Sequence, residues 1–338
     1  MVHAFKSAAR VLCAAATLAA AALPLAASAQ QGKGLEETLA TEYRKAFVGK
    51  TVAFVPASLS TDVAQAWYAA LKRDLEPLGV KVVVRDPNYN SNTGAQAITE
   101  LIESKPAVIV VHSPDVQTYA RLITRGEAAG VHMLQVNMAS SARSGAFVGT
   151  DYNALGERYA ARVIEACKGK SGKVAIVQGP LSAAPSAYAL YGIDKVFKDH
   201  PEIKVVSSQP ADWDASKAKA ITQTVLKQHP DLCAVIGMWD GQDTGTAAAI
   251  REAGMTGKVF LITSGGGEQK QACDQVKNGS FDVNVSFNAP AQGASLTTMI
   301  RWMMISGVKP GQFKGTVYST LVDITKKNAS DPGMCFTF

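Results

Sequence analysis

The residues that could do chemistry in this chain are few and scattered. An enzyme needs a nucleophile beside a base, an acid–base pair, a metal set or a phosphate-binding loop. The sequence holds no G-x-S-x-G elbow and no P-loop lysine pattern. Gly265-Gly266-Gly267 lacks the G-x-G-x-x-G spacing and a partner lysine, so it reads as a flexible turn at a strand end. The five histidines are dispersed, and His112, at the end of an apolar run, reads as structural although that position could face a cleft. Cys167, Cys233, Cys273 and Cys335 are widely and irregularly spaced, with no histidine near enough to complete a zinc set. The expectation is a non-catalytic protein without metal or cofactor.

The N-terminus indicates a compartment. Lys6 and Arg10 precede a charge-free, alanine-rich run from Val11 to Leu25, and Ala27-Ser28-Ala29 follows. A basic start, a short apolar stretch and an A-x-A site describe a cleavable secretory signal over residues 1–29; the run is too short to span a bilayer. Cys13 lies after Arg10-Val11-Leu12, without the small residue that lipid attachment wants. A mature periplasmic chain is therefore expected. Loss of Lys6 and Arg10 takes the formal charge from +6 to +4. That mild excess is spread thinly, with no Lys/Arg run longer than two, and argues against nucleic acid as a partner. With 338 residues and 47% hydrophobic content there is material for two cores.

The elements that must carry any site repeat in order. Leu35, Leu39, Tyr43 and Phe47 recur at helical spacing, an N-terminal extension within residues 30–50. Thr51–Val55 reads as a strand; a polar turn over Ser58–Asp62 follows, then a helix with Trp67, Leu71, Leu75 and Leu78 on one face. Strands at Val82–Val84, Ala107–Val111 and Met133–Val136 alternate with helices at about 94–103 and 115–129. The second half repeats this order, with strands at Val174–Val177, Val205-Val206, Cys233–Gly237 and Val259–Ile262. Its helices fall at about 187–199, 216–228 and 244–253. Gly79, Gly130 and Gly254 stand where helices end before strands. Such alternation predicts two doubly wound parallel-sheet lobes, with ligands outside the carboxyl ends of the strands. Cys233 falls in a strand and reads as core. Cys273 with Cys335 is the expected disulfide, both lying in one lobe.

Three segments carry a resemblance: Phe147-Val148-Gly149-Thr150-Asp151-Tyr152-Asn153-Ala154-Leu155-Gly156, Gln209-Pro210-Ala211-Asp212-Trp213-Asp214, and His229-Pro230-Asp231-Leu232-Cys233-Ala234-Val235. In this order they resemble the ribose-binding-like sugar receptors of ABC transporters, over nearly everything from Thr51 to about Lys327. The resemblance implies the periplasmic binding protein-like I fold, an α/β architecture of two doubly wound lobes joined by a hinge of three crossings. These crossings would fall near Gly149–Asp151, Phe287-Asn288 and Leu321-Val322. Lobe one would be residues 51–149 plus 288–321, and lobe two residues 151–287 plus 322–338. It also implies a monomer that takes a small-molecule solute and delivers it to ABC permease subunits in the inner membrane.

Carried over residue by residue, Trp213 occupies the family's stacking position. The charged sugar clamps are largely missing. Asn137-Met138 stands for an Asp-Arg pair, Ser186-Ala187-Tyr188 for an arginine loop, and Trp239-Asp240 for an Asn-Asp pair. Ser264-Gly265-Gly266 replaces an aspartate, and Phe287-Asn288 a glutamine. Ser58, Thr61, Asn137, Ser264, Asn288 and Gln292 are the neutral hydrogen-bonders expected at the site, with Tyr188 beside them. Asp62 and Asp240 are its acids, and Trp213, Trp239 and Phe287 its aromatics. Lost charge and added aromatic area suit a less hydroxylated ring. The implied solute is a neutral sugar, polyol or modified sugar. An aromatic or other cyclic carbon source and a chemoreceptor-type sensory module remain as alternatives.

Overall fold

A computed structural model describes residues 35–335. Of the described residues, those up to Glu42 form a unit of their own and those from Tyr43 a second, which holds both sheets. The expected signal segment lies outside the described residues.

The helix α1 (Leu35–Lys45) leads to β1 (Thr51–Val55), α2 (Asp62–Leu75) and β2 (Lys81–Val84). Then come α3 (Ser91–Ser104), β3 (Val108–Val111), α4 (Ala120–Ala128), β4 (His132–Val136) and β5 (Ala146–Gly149). The second set runs α5 (Tyr152–Cys167), β6 (Lys173–Gln178), α6 (Ala184–Phe197), β7 (Lys204–Pro210), α7 (Ala215–Gln228) and β8 (Ala234–Gly237). It continues with α8 (Asp240–Glu252), β9 (Phe260–Gly265), α9 (Gln269–Lys277) and β10 (Val283–Ser286). The chain then returns through α10 (Ala289–Ile305) and β11 (Gly315–Tyr318) and ends on β12 (Val322–Thr325).

Two six-stranded sheets result, ordered β11-β5-β4-β3-β1-β2 and β12-β10-β9-β8-β6-β7. Every pair in the first is parallel, with Phe54 opposite both Val84 and Val110. The second has one antiparallel edge, where Val283 pairs with Thr325. The chain crosses between the sheets after β5, after β10 and after β11. We call the body built on each sheet a lobe.

The inner strands β1, β3, β6 and β8 are apolar because both their faces are covered. Val52, Phe54, Val108 and Val110 meet Trp67, Leu71 and Leu75 of α2 on one face of the first sheet, together with Leu296 and Ile300 of α10. Ala53, Val55, Ile109 and Val111 meet Ile98, Ile102 and Ile123 of α3 and α4 on the other. The second sheet repeats this with α5 and α6 on one face and α7, α8 and α9 on the other. Phe47 is buried in the first core, and Gly79, Gly130 and Gly254 all have positive φ at helix ends.

Several expectations are corrected. The helix expected from 115 begins at Ala120, because the Asp115 carboxylate accepts the N–H groups of Gln117 and Thr118 and closes a turn first. The strand expected at Val205-Val206 runs on to Pro210, and α8 starts four residues earlier than expected. Cys233 is buried but is not merely core: it is bridged to Cys167. Cys273 is bridged to Cys335 as expected.

Candidate ligand-binding cleft

The carboxyl ends of both sheets face one cavity of about 430 Å³. The first lobe contributes Ala57 and Thr61 after β1, His112 and Pro114 after β3, and Asn137 and Met138 after β4. The second contributes Pro180 after β6, Asp212, Trp213 and Asp214 after β7, and Met238 and Trp239 after β8. Tyr152 and Phe287 line it from two of the crossings.

Trp213 sits at φ 63 and follows Asp212 at φ 55, two successive left-handed residues without glycine's freedom. Two contacts hold this turn. The Trp213 backbone N–H donates to Gln242 Oε1 at 2.8 Å, and the indole lies on Gly179, where a Cβ would come within 2.2 Å of the ring. Trp239 meets Trp213 edge to face, with centroids 6.3 Å apart and planes at 88°. Trp239 precedes α8, and its N–H donates to Asp243 Oδ2 at 3.2 Å, an acid reaching back from the first helical turn. Asp243 also accepts from Thr263 Oγ1 at 2.6 Å and Thr246 Oγ1 at 3.0 Å, and burial pushes its carboxyl up to about 7. Sequence reasoning missed Asp243. It stands four residues after Trp239, one beyond the capping-box spacing, so no motif marked it.

Asn137, at φ 60, turns its amide oxygen to Tyr152 Oη at 2.9 Å, which leaves its NH₂ for the cavity. Tyr152 was also missed as a site residue. The acids on the cavity wall are committed elsewhere: Asp214 accepts the Lys217 N–H at 2.8 Å and Asp212 pairs with Lys217 Nζ at 3.1 Å.

Of the expected site residues, Trp213, Trp239, Asn137, Thr61 and Phe287 are brought together on the cavity wall. Thr61 also caps α2, accepting from the Ala64 N–H at 3.4 Å. The others stand elsewhere. Ser58 is buried and bonds Ser60 within its own loop and Asn88 Oδ1 of the loop after β2. Ser264 Oγ donates to the Met238 carbonyl at 3.0 Å. Asn288 caps α10, accepting from the Ala291 N–H. Gln292 is fully buried: its Oε1 accepts from Trp67 Nε1 at 3.1 Å, and its Nε2 donates to Thr150 Oγ1 and Ser319 Oγ. Its hydrogen bonds thus tie α2 and α10 to two of the crossings. Tyr188 is exposed and lines a separate groove with Phe147 and Tyr318, because α6 turns Ser186 inward and Tyr188 out.

The two expected acids lie behind and across the cleft. Asp62 Oδ2 accepts the backbone N–H of Glu268, a residue of the other lobe, at 2.9 Å. Asp240 accepts from Asn284 Nδ2 at 2.9 Å and rests against Gly265, where a Cβ would meet its carboxylate. Burial pushes the Asp240 carboxyl up to about 7, with the charge of Asp62 adding to the effect. A second bond across the cleft runs from the Val116 N–H to the Ser182 carbonyl at 3.2 Å.

The known proteins match this arrangement. A family model described as a periplasmic binding protein domain matches residues 52–307. The D-allose-binding periplasmic protein of Escherichia coli (strain K12) is 35% identical over 150 residues, covering 44% of this chain and 48% of that protein. The aligned stretch is thus about half of that relative's length. A solved ABC transporter solute-binding protein from Burkholderia graminis C4D1M, in complex with D-arabinose, superposes with a TM-score of 0.77 at 21% identity, covering 86% of this chain and 99% of that one. A Caulobacter myo-inositol binding protein gives 0.76 at 22%, covering 84% and 96%. At these identities the two structures establish the fold.

Proposed function

Because this chain belongs to the periplasmic binding protein family, we propose that it is the solute-binding component of an ABC importer. It closes two lobes around a small neutral solute — a sugar, polyol or modified sugar — and presents the closed form to permease subunits in the inner membrane. It is a binding protein and not an enzyme. Residues 1–29 act as its cleavable export signal, in keeping with the periplasmic location that the family implies.

One observation carries the reading: a single cavity walled by the strand ends of both lobes, with a tryptophan pair and committed carboxylates at its rim. Its volume is in the range that holds small ligands. An indole face suits the C–H side of a sugar or polyol ring. The relative named for allose, and the arabinose and inositol complexes, point to the same class of solute.

A second reading, a cyclic or aromatic carbon source, is favoured by the number of rings on the wall and by the absence of an arginine or lysine from it among the described residues. A thermal-shift panel of D-ribose, D-allose, D-arabinose, xylitol, myo-inositol and simple aromatic acids and alcohols separates the two, with calorimetry on each compound that shifts the midpoint. Binding of a sugar or polyol supports the first reading; shifts confined to aromatic compounds overturn it in favour of the second. Trp213→Ala should weaken binding of the responding compound by about tenfold or more, the loss of roughly 1.4 kcal/mol or above, with the ligand-free melting midpoint retained. Unchanged affinity would remove the stacking assignment.

A further inference from the structure

The parallel strands of the first sheet begin at the end of the lobe opposite the cleft, a strand length of about 15 Å away. A second cavity opens there, of about 590 Å³ against about 430 Å³ for the cleft. Its wall is built from the residues that lead into β1, β3 and β4 and from the turn that follows α10. Lys50, Lys105, Lys309 and His132 line it, and among the described residues no aspartate or glutamate does. Among those residues none of the four pairs with an acid, whereas Lys173, Lys195, Lys219 and Lys270 elsewhere on the surface each do. Burial alone lowers the His132 pKa below its ordinary value, so at neutral pH the ring is an uncharged donor.

Lysines beside helix ends ordinarily answer the helix dipoles, and that role can be weighed here. The helices α3, α4 and α10 all end at this cavity, through Ser104, Gly130 and Gly307. Each C-terminus carries roughly half a negative charge, so the three ends offset about half of the three lysine charges. About one and a half positive charges remain without a counter-charge, close to the charge of about −1.5 to −2 on a phosphate monoester at neutral pH. Lys105 points the same way. It caps α3 at φ 49 and ψ 58, a left-handed position where glycine or asparagine is usual. Backbone strain held there is unneeded for a dipole that a lysine at a relaxed neighbouring position would answer equally well.

We propose that this cavity is a second binding site, separate from the solute cleft, that takes a phosphate group: Lys50, Lys105 and Lys309 supply the charge and His132 a ring N–H. The site belongs to one lobe and stays intact whether the lobes open or close. It lies beyond a Debye length of about 8 Å from the cleft, so its occupancy leaves solute affinity unchanged.

Inorganic phosphate is the first ligand to try, added to the purified protein at low ionic strength while the His132 imidazole signals are followed by NMR. Phosphate should shift them saturably, with a dissociation constant of about 10 mM or below, and should raise the His132 pKa, since an anion favours the protonated ring. Chloride at equal ionic strength should do neither. The triple variant Lys50→Gln, Lys105→Gln, Lys309→Gln should lose about tenfold or more in phosphate affinity. Lys105→Gly separates a site from a merely structural lysine: relief of the left-handed backbone should keep or raise the melting midpoint, while phosphate affinity falls about threefold. The absence of a saturable His132 shift, an equal response to chloride, or parental phosphate affinity in the triple variant overturns the site. A Lys105→Gly variant that loses stability and keeps phosphate assigns the lysine to the dipole and overturns it too. Flotation with vesicles containing phosphatidic acid, against vesicles of phosphatidylcholine alone, identifies the source. Flotation that the triple variant loses assigns the phosphate to a lipid headgroup, and a phosphate response without flotation assigns it to a soluble ester. Flotation without a phosphate response marks a merely basic surface and overturns the proposal.

Discussion

Asp240 carries a proton that an exposed aspartate would shed. Its carboxyl is pushed from 3.8 up to about 7, first by burial and then by the charge of Asp62. A carboxyl raised on folding contributes stability that is full below about pH 4 and lost as the pH rises through 7. Asp243 behaves alike, whereas His112, lowered to about 4 from 6.5, contributes stability that is full above 6.5 and lost as the pH falls toward 4. The melting midpoint should therefore decline between pH 5 and 8. Asp240→Asn, which can still accept from Asn284 through its amide oxygen, should remove part of that decline, a few degrees by scanning calorimetry. A variant with the parent's slope would contradict the assignment. Residues at this scale were unevenly legible in the sequence. Trp213 stands out within Gln209–Asp214. The surroundings of Asp240 do not, because Asp62, Gly265 and Asn284 reach it from three distant segments. Tyr188 was expected at the site, but the start of α6 decides which of its side chains turns inward, and no local pattern marks that turn.

The strands and helices were legible wherever burial imposed a period. The β1, β3, β6, β8 and β9 runs are apolar over four residues or more, β2 and β7 show only three and two successive valines, and the helices between them carry an apolar stripe. The β10 strand was not legible, because Asn284 and Ser286 are buried polar residues within it, and neither was β11, an edge strand with alternate residues exposed. Those polar side chains are used: Asn284 donates to Asp240, and Ser286 Oγ donates to Gln269 Oε1 at 2.6 Å. Cys167, at the end of α5, and Cys233, just before β8, show the same limit, since the helix and strand that hold them meet only in the fold. Their bridge closes a separation of 66 residues. On loop-closure entropy such a cross-link is worth about 4 kcal/mol. Cys167→Ser combined with Cys233→Ser should lower the unfolding free energy by roughly that amount in urea titrations of the oxidised protein. A change below about 1 kcal/mol would mean that the bridge adds little.

At the scale of the molecule the question is what keeps two lobes closed. Three crossings connect them, and Gln292 ties two of these to α2 and α10, so the hinge is a hydrogen-bonded unit. Farther out, closure rests on the Val116–Ser182 backbone bond and on Asp62, whose carboxylate accepts an N–H from Glu268 of the opposite lobe. Both bonds break if the lobes part, whereas the contacts of Trp213 with Gly179 and Gln242 lie within one lobe and persist. Asp62 therefore acts on the equilibrium between open and closed forms more than on the solute. Removing it leaves the stacking surface intact and lets the closed complex open more readily. Asp62→Ala should raise the dissociation rate about three- to tenfold, with the association rate changed far less, in stopped-flow measurements on the compound that the panel identifies. In small-angle scattering the liganded variant should also remain more expanded than the liganded parent. If dissociation is unchanged and the liganded forms scatter alike, the carboxylate is not the latch, and closure rests on the solute bridging the two walls.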